Sequence, residues 1–537
     1  MANAQTVRIA APNKERMLDE LLDEVLGAHM QPEDRYEIAA ILESFGWNDD
    51  RASQTFGVED VFALASDLWE RSLARVRYIP FARPEKTSFS KLFVELVRTF
   101  LRGVIFALPM ALSVFSMLTL KFSLWSYEYL SVELATAIAI GTILSFVTVG
   151  GFTQAIARRG FFYIIQGHYN MARRVTFHFI GIGFLLCIVI SVGLFVLNAL
   201  IQMFPYSMIG IIILYFFFLN MIWLSVTVMY ILKKELLFSG LILVGIAFVY
   251  VLFDVLGLNI IVSQVTSLFI VSLASILIVI RLFQHAERKA DIGIEPKMPK
   301  MSVTLYSTLP YFAYGFLYFS LLYVDRVMAW STNNEFTMPF LMWFRGDYEL
   351  GLDFALLVLI VPMGIAEVVL AKLMMDVEVS QKSYWGDETA KLNRNFRTMY
   401  FNRLAIIGGI ALATAAALYL VLKYAFSSID LPIGQSLFAN STTHFVFIAS
   451  LISYAFLSIA LMNTVILFSL SQPFLVLQSI WPAFLGNVIS GFLSSRWLGY
   501  EFAVFGLLLG AVLFMVLSIR DVLKVFGNLD YYLYAAT

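Results

Sequence analysis

A single cysteine, Cys187, stands in a chain of 537 residues. No disulfide or zinc cluster can be built within one chain from one thiol, and its place inside an apolar run reads as an inert core thiol. Charged residues are also scarce, at 14% against 60% hydrophobic, far from the quarter that soluble domains carry. Catalytic signatures are missing: there is no phosphate-binding glycine loop with its lysine, no His-Glu-x-x-His and no Gly-x-Ser-x-Gly. The five histidines, His29, His168, His178, His285 and His444, are scattered over separate segments. Neither an enzyme nor a metal or cofactor site is expected. The formal net charge of −1 gives no reason to expect a nucleic-acid partner. A secretory signal is absent as well, because the first hundred residues are charged, so the first span is expected to act as the insertion signal.

What the chain has is apolar length. Twelve runs suit membrane spans, near 103–120, 134–156, 175–199, 207–231, 237–256, 260–281, 304–326, 352–371, 404–422, 443–468, 474–493 and 501–519. Runs of about 20 residues satisfy their backbone as helices, whereas barrel strands need about 10 alternating ones. Alternate connections hold nineteen Lys and Arg against four, the four being Lys121, Arg345, Lys423 and Arg496. Basic residues near spans stay on the cytosolic side, so both termini are expected there. The predicted fold is an all-α polytopic protein of the cytoplasmic membrane. Residues 103–281 form one six-span half and 304–519 the other, joined by a linker at 282–303 and followed by a tail at 520–537.

Ahead of the spans, residues 1–80 predict an acidic cytoplasmic helical module. Residues 1–12 read as frayed. Leu18, Leu21, Leu22, Val25 and Leu26 form one stripe, Ile38, Ile41, Leu42 and Phe45 a second, and Val58, Val61, Phe62, Ala65, Leu68, Trp69 and Leu73 a third behind Asn48-Asp49-Asp50. Residues 1–70 hold 15 acidic and five basic side chains, which suits a protein partner better than anionic lipid. Residues 81–102 predict an amphipathic helix on the membrane surface. Phe89, Leu92, Phe93, Leu96 and Phe100 share its apolar face, and Lys91, Glu95, Arg98 and Arg102 its polar one. Asn440-Ser441-Thr442 matches a glycosylation acceptor, a motif of low specificity.

Leu108-Pro109 and Leu309-Pro310 sit at similar depths in the first and seventh spans, the pattern of paired hinges beside a substrate path, or a coincidence of two tolerated prolines. Ionisable groups within spans are costly and therefore the strongest site candidates. At about 100° per residue, Tyr311, Tyr314, Tyr318 and Asp325 form a stripe, while Arg326 points a quarter turn away. Arg326 therefore needs another partner, for which Asp353 is the first choice. Glu367 shares a face with Asp353 roughly 21 Å deeper and is the expected proton carrier if an ion gradient drives the protein. One reading is a cavity whose tyrosines stack on sugars. The other is interhelical packing with an Arg326–Asp353 latch. Asp254 and His178 read as wetted end residues, and Gln264, Asn220, Asn463, Gln478 and Asn487 as path or interhelical glue.

Tyr314-Gly315-Phe316-Leu317-Tyr318-Phe319, followed by Asp325-Arg326 and Ala329-Trp330-Ser331, resembles the seventh span of the inner-membrane transporters of Pel exopolysaccharide. Tyr348-Glu349-Leu350-Gly351-Leu352-Asp353 with Ala355-Leu356 resembles the start of that family's eighth. The family lies within the superfamily of multidrug, oligosaccharidyl-lipid and polysaccharide (MOP) flippases. The resemblance implies two six-helix bundles around a central cavity, a polysaccharide or glycolipid substrate, and functional positions at Asp325, Arg326, Glu349 and Asp353. It covers about forty residues, and the acidic module departs from the family. Export of a polysaccharide or lipid-linked glycan is thus the leading expectation, with a cytosolic glycosyltransferase or an inner-membrane scaffold as partner of residues 1–80. The rivals are a small-molecule or multidrug antiporter and a membrane glycan polymerase, ligase or acyltransferase.

Overall fold

The computed structural model describes residues 11–28, 34–76, 89–105, 108–290, 300–333, 339–381, 389–428 and 437–534. These are helical almost throughout, and the chain divides into two compact units, Met1–Leu92 and Phe93–Thr537.

In the first unit four helices, α1 (Ala11–Ala28), α2 (Arg35–Ser44), α3 (Asp49–Phe56) and α4 (Val61–Val76), share one core. Leu18, Leu22, Ile38, Leu42, Phe56, Leu64 and Leu68 are buried in it. Much of the acidity has a structural use. Asp34 accepts from the N–H groups of Tyr36 and Glu37, and Asp60 from that of Ala63, so carboxylates satisfy the open donors at helix starts. Asn48 caps α3 through Arg51 N–H, so the Asn48-Asp49-Asp50 cluster opens a separate short helix rather than the expected third stripe. Gly57, at φ 63°, ends α3 in the left-handed conformation that glycine adopts without strain. Leu64 then takes the core place beside Ala65, and Phe62 faces out, 52% exposed.

The second unit carries α5 (Phe89–Ile105), α6 (Leu108–Leu120), α7 (Val132–Ile165), α8 (Tyr169–Ile201), α9 (Tyr206–Ile231), α10 (Glu235–Tyr250) and α11 (Ile260–Ala290), then α12 (Met301–Trp330), α13 (Gly346–Leu356), α14 (Ile360–Gln381), α15 (Thr389–Ser428), α16 (Ser441–Ser469), α17 (Pro473–Trp497), α18 (Val504–Gly527) and α19 (Leu529–Tyr534). Among the described residues ten helices are long and apolar enough to cross a membrane, with α13 and α14 counted as one. The expected spans at 103–120, on α5 and α6, and at 304–326, on α12, are not among the ten. The five tyrosines of α12, with Asp325 and Arg326, lower its hydropathy. The chain is an all-α, multi-pass membrane protein. One buried cluster holds α7–α11 together and another α12–α19, with Val114 of α6 packed against the second.

Several elements overrun their expected bounds. Helix α11 continues to Ala290 into the expected linker, and α18 runs to Gly527 with Val522, Val525 and Phe526 buried. The expected surface helix at 81–102 is described only from Phe89 and continues to Ile105; residues 77–88 lie outside the described part. Pro310 sits inside an unbroken α12; Pro109 lies beside residues 106–107, which are outside the described part. Asn440 caps α16 through the N–H groups of Thr442 and Thr443. The four basic residues on the charge-poor connections are all engaged. Lys121 pairs with Glu128 at 3.0 Å, and Lys423 lies over the Tyr419 ring. Arg345 donates to the Thr332 carbonyl. Arg496 donates to the carbonyls of Met328 and Ser331, capping the α12 C-terminus.

Candidate functional site

The two helical halves meet where α7 crosses α12, and the crossing is backbone on backbone. A Cβ added at Gly150 would stand 2.7 Å from the carbonyl oxygen of Gly315, and one at Gly151 would stand 2.8 Å from that of Phe312. Glycines at this point let the helix axes approach more closely than side chains allow.

To one side of the crossing lies a ladder of half-buried rings. Phe146 of α7 is stacked on Phe319 and Tyr323 of α12, at centroid distances of 5.7 and 5.4 Å. Trp223 of α9 leans on Phe146 at 4.9 Å. Its indole N–H has no partner among the described residues. The Arg326 guanidinium lies 5.1 Å from the Tyr323 ring centre, which joins the ladder to a charged network.

That network ties α12 to α13. Arg326 Nη1 pairs with Glu349, Arg326 Nη2 with Asp353 Oδ1 at 3.0 Å, and Trp330 Nε1 donates to Glu349 Oε1 at 2.9 Å. The spacings are helical: Arg326 and Trp330 are one turn apart, as are Glu349 and Asp353. Asp325, pointing away, accepts from the Tyr348 hydroxyl at 2.8 Å. Arg326 and Glu349 are each 6% exposed and Asp325 is fully buried. The Asp353 side chain is 58% exposed.

At the arginine-rich end of α7 the halves meet again. Arg158 lies 5.2 Å from the Tyr311 ring centre and reaches Ser471, while Arg159 donates to Ser307. Among the described residues neither guanidinium has a carboxylate partner. With Phe162 and Pro473 these groups line a cavity of about 200 Å³.

The sequence-derived candidates therefore fall into four places. Arg326 and Asp353 meet, together with Glu349. Tyr311 joins the small cavity. Tyr314 is buried against Phe468 of α16, with Tyr318 stacked beside it. Glu367 is half-buried on α14 beside Gly103, where an added Cβ would lie 3.0 Å from its Cγ. Asp254 and His178 are exposed, as is Gln478. Gln264, Asn463 and Asn487 are interhelical glue: they bond Tyr215 and Ser123, Tyr400 and Ser518, and the Leu321 carbonyl. Asn220 bonds only its own helix, at the Phe216 carbonyl. Phe146, Trp223, Phe319 and Tyr323 were not singled out by sequence reasoning. Phe319 and Tyr323, four residues apart, were the available signal.

Solved structures decide the architecture. The Vibrio cholerae MATE transporter VcmN, in a mutant form, is 15% identical, with 82% of this chain and 98% of that one covered at a TM-score of 0.56. The eukaryotic MATE transporter AtDTX14 is 12% identical, with 83% and 100% covered and a TM-score of 0.53. The bent form of VcmN gives 15%, 82% and 99%, and 0.51. The fold is that of the MATE transporters. No family model matches the chain, and no curated protein does. At these identities the likeness extends to the fold and no further.

Proposed function

We propose that this chain is a transporter that exports a polysaccharide or lipid-linked glycan across the cytoplasmic membrane by rocking its two halves about the α7–α12 crossing. It moves its substrate and catalyses no reaction. The observation that carries the reading is the half-buried ladder of Phe146, Trp223, Phe319 and Tyr323 running to the exposed Asp353. Flat ring faces stack on sugar faces, while a carboxylate and a free indole N–H meet hydroxyls. The resemblance of α12 and α13 to Pel transporters supports a glycan, and the MATE fold supports transport. Charge bias puts the Arg158/Arg159 end in the cytosol, where paired guanidiniums attract an acidic sugar or a lipid phosphate.

Asp353→Asn and Tyr323→Leu test this. A lost charge-assisted hydrogen bond costs about 1.5–3 kcal/mol, so Asp353→Asn is expected to lower surface glycan roughly tenfold; Tyr323→Leu removes a stacking face worth about 0.5–1.5 kcal/mol and is expected to lower it several-fold, both at unchanged membrane protein level. Undiminished export in both would remove the ladder from the path. The second reading is a small-molecule antiporter, favoured by the MATE fold and by aromatic rings that also bind cations. It requires drug susceptibility to change in these variants and surface glycan to stay constant.

The acidic first unit is, in this proposal, the docking point for a cytosolic glycosyltransferase or a membrane scaffold. Deleting residues 1–80 is expected to abolish partner capture in a pull-down while leaving membrane insertion intact. Full capture by the truncated chain would refute the assignment.

A further inference from the structure

A second cavity, of about 750 Å³, lies away from the α7–α12 crossing. Its volume falls within the roughly 300–1,000 Å³ of small-molecule sites. One wall is the exposed face of α5, with Val94, Val97, Arg98, Leu101 and Ile105. The facing wall is the turn between α9 and α10, from Lys233 to Leu237, including Glu235. Apolar side chains thus form most of the lining, and three cations stand among them.

The turn brings the lysines there by a specific backbone route. Lys233 N–H bonds the Tyr230 carbonyl and Lys234 N–H the Met229 carbonyl, closing the end of α9. Lys233 holds φ at 57°, a conformation in which glycine is at ease and a lysine is strained. Among the described residues Arg98, Lys233 and Lys234 have no carboxylate partner. Glu235 offsets one of the three charges, which leaves a surplus of two.

We infer that this groove is a binding site for an anionic phospholipid, with the phosphate held by Arg98, Lys233 and Lys234 and the acyl chains laid along Val94, Val97, Leu101, Leu236 and Leu237. The chemistry is complementary at both ends. A phosphodiester meets the surplus positive charge that Glu235 leaves, and acyl chains cover exposed aliphatic side chains at the edge of the bundle. Basic pockets between membrane helices bind lipid headgroups in this way. A free anion would gain nothing from the apolar walls, and a neutral lipid nothing from the cations.

The test uses full-length protein in detergent, with native mass spectrometry of added phosphatidylglycerol, phosphatidylethanolamine and glycerol 3-phosphate. Phosphatidylglycerol is expected to be retained in preference to phosphatidylethanolamine. Retention should fall roughly tenfold in the triple variant Arg98→Gln/Lys233→Gln/Lys234→Gln. A control with the same loss of charge elsewhere, Lys391→Gln/Arg394→Gln/Lys524→Gln, should bind as the unaltered protein does. Equal retention of the two lipids, an equal loss in the control, or displacement of phosphatidylglycerol by equimolar glycerol 3-phosphate would each overturn the proposal. Should the triple variant fail to fold, the lipid preference of the unaltered protein and the single change Lys234→Gln decide the matter.

Discussion

Replacing Arg326 with glutamine is expected to destabilise the protein by about 3–5 kcal/mol, the cost of leaving a buried charge without its partner. Glu349 is 6% exposed and meets two groups, Arg326 and the Trp330 indole. Without the guanidinium, one neutral N–H remains to face a full carboxylate in low dielectric. Asp353 suffers less, because its exposed side chain can turn to water. The prediction therefore has an internal control. Arg326→Gln/Glu349→Gln replaces the pair by two neutral amides and is expected to recover more than half of the lost stability. Arg326→Lys is expected to recover little, since a single ammonium cannot reproduce the planar fork that reaches Glu349 and Asp353 together. Thermal or denaturant unfolding of the purified protein checks all three. A single variant within about 1 kcal/mol of the unaltered protein, the level of an exposed ion pair, would mean that water reaches Glu349 freely.

How Arg326 is satisfied was partly legible in sequence, and the reason is geometric. Adjacent helical residues point about 100° apart, so Asp325 could not be its partner whatever the tertiary packing. Asp353 followed from its position near the start of the next span. Glu349 came from resemblance alone, and Tyr348 and Trp330 stood in the resembling segments without a role, because an aromatic residue at a span end reads equally well as an interfacial anchor. Ten of the expected spans were legible for the same kind of reason: crossing a fixed thickness of hydrocarbon needs a fixed apolar length. Where α18 stops was not, since residues beyond the hydrocarbon continue a helix at no penalty.

The face of α12 that meets α7 was not legible either. Tyr311, Tyr314 and Tyr318 make one aromatic stripe and Phe312, Phe319 and Tyr323 another, and composition ranks them alike. Gly315 decides between them through its contact with Gly150, a pairing between residues far apart in the chain that no local pattern carries.

Leucine at Gly315 is expected to break the association of the two halves. Even a Cβ there would overlap the Gly150 carbonyl oxygen and come within 2.8 Å of Gln154 Cγ. The obstructing atoms at Gly150 are backbone, so no rotamer change relieves them, and overpacking costs about 1–3 kcal/mol before the rest of the side chain is placed. Alanine at Gly315 should therefore lower stability by about 1–3 kcal/mol, and leucine should leave little folded protein. Glycines with open surroundings supply the contrast. Gly181, Gly193 and Gly210 have nothing within 4 Å of an added Cβ, so alanine at these positions should stabilise their helices by about 0.5–1 kcal/mol. Unfolding measurements separate the two sets by sign. The alanine variant at Gly315 also bears on motion, because a contact of backbone on backbone leaves the halves free to pivot as rigid bodies but not to interdigitate. Forced apart there, they lose their common pivot, and export should fall further than the remaining folded fraction accounts for. Export in proportion to folded protein would place the pivot elsewhere, with the α5–α14 contact at Gly103 and Gly364 as the next position to alter.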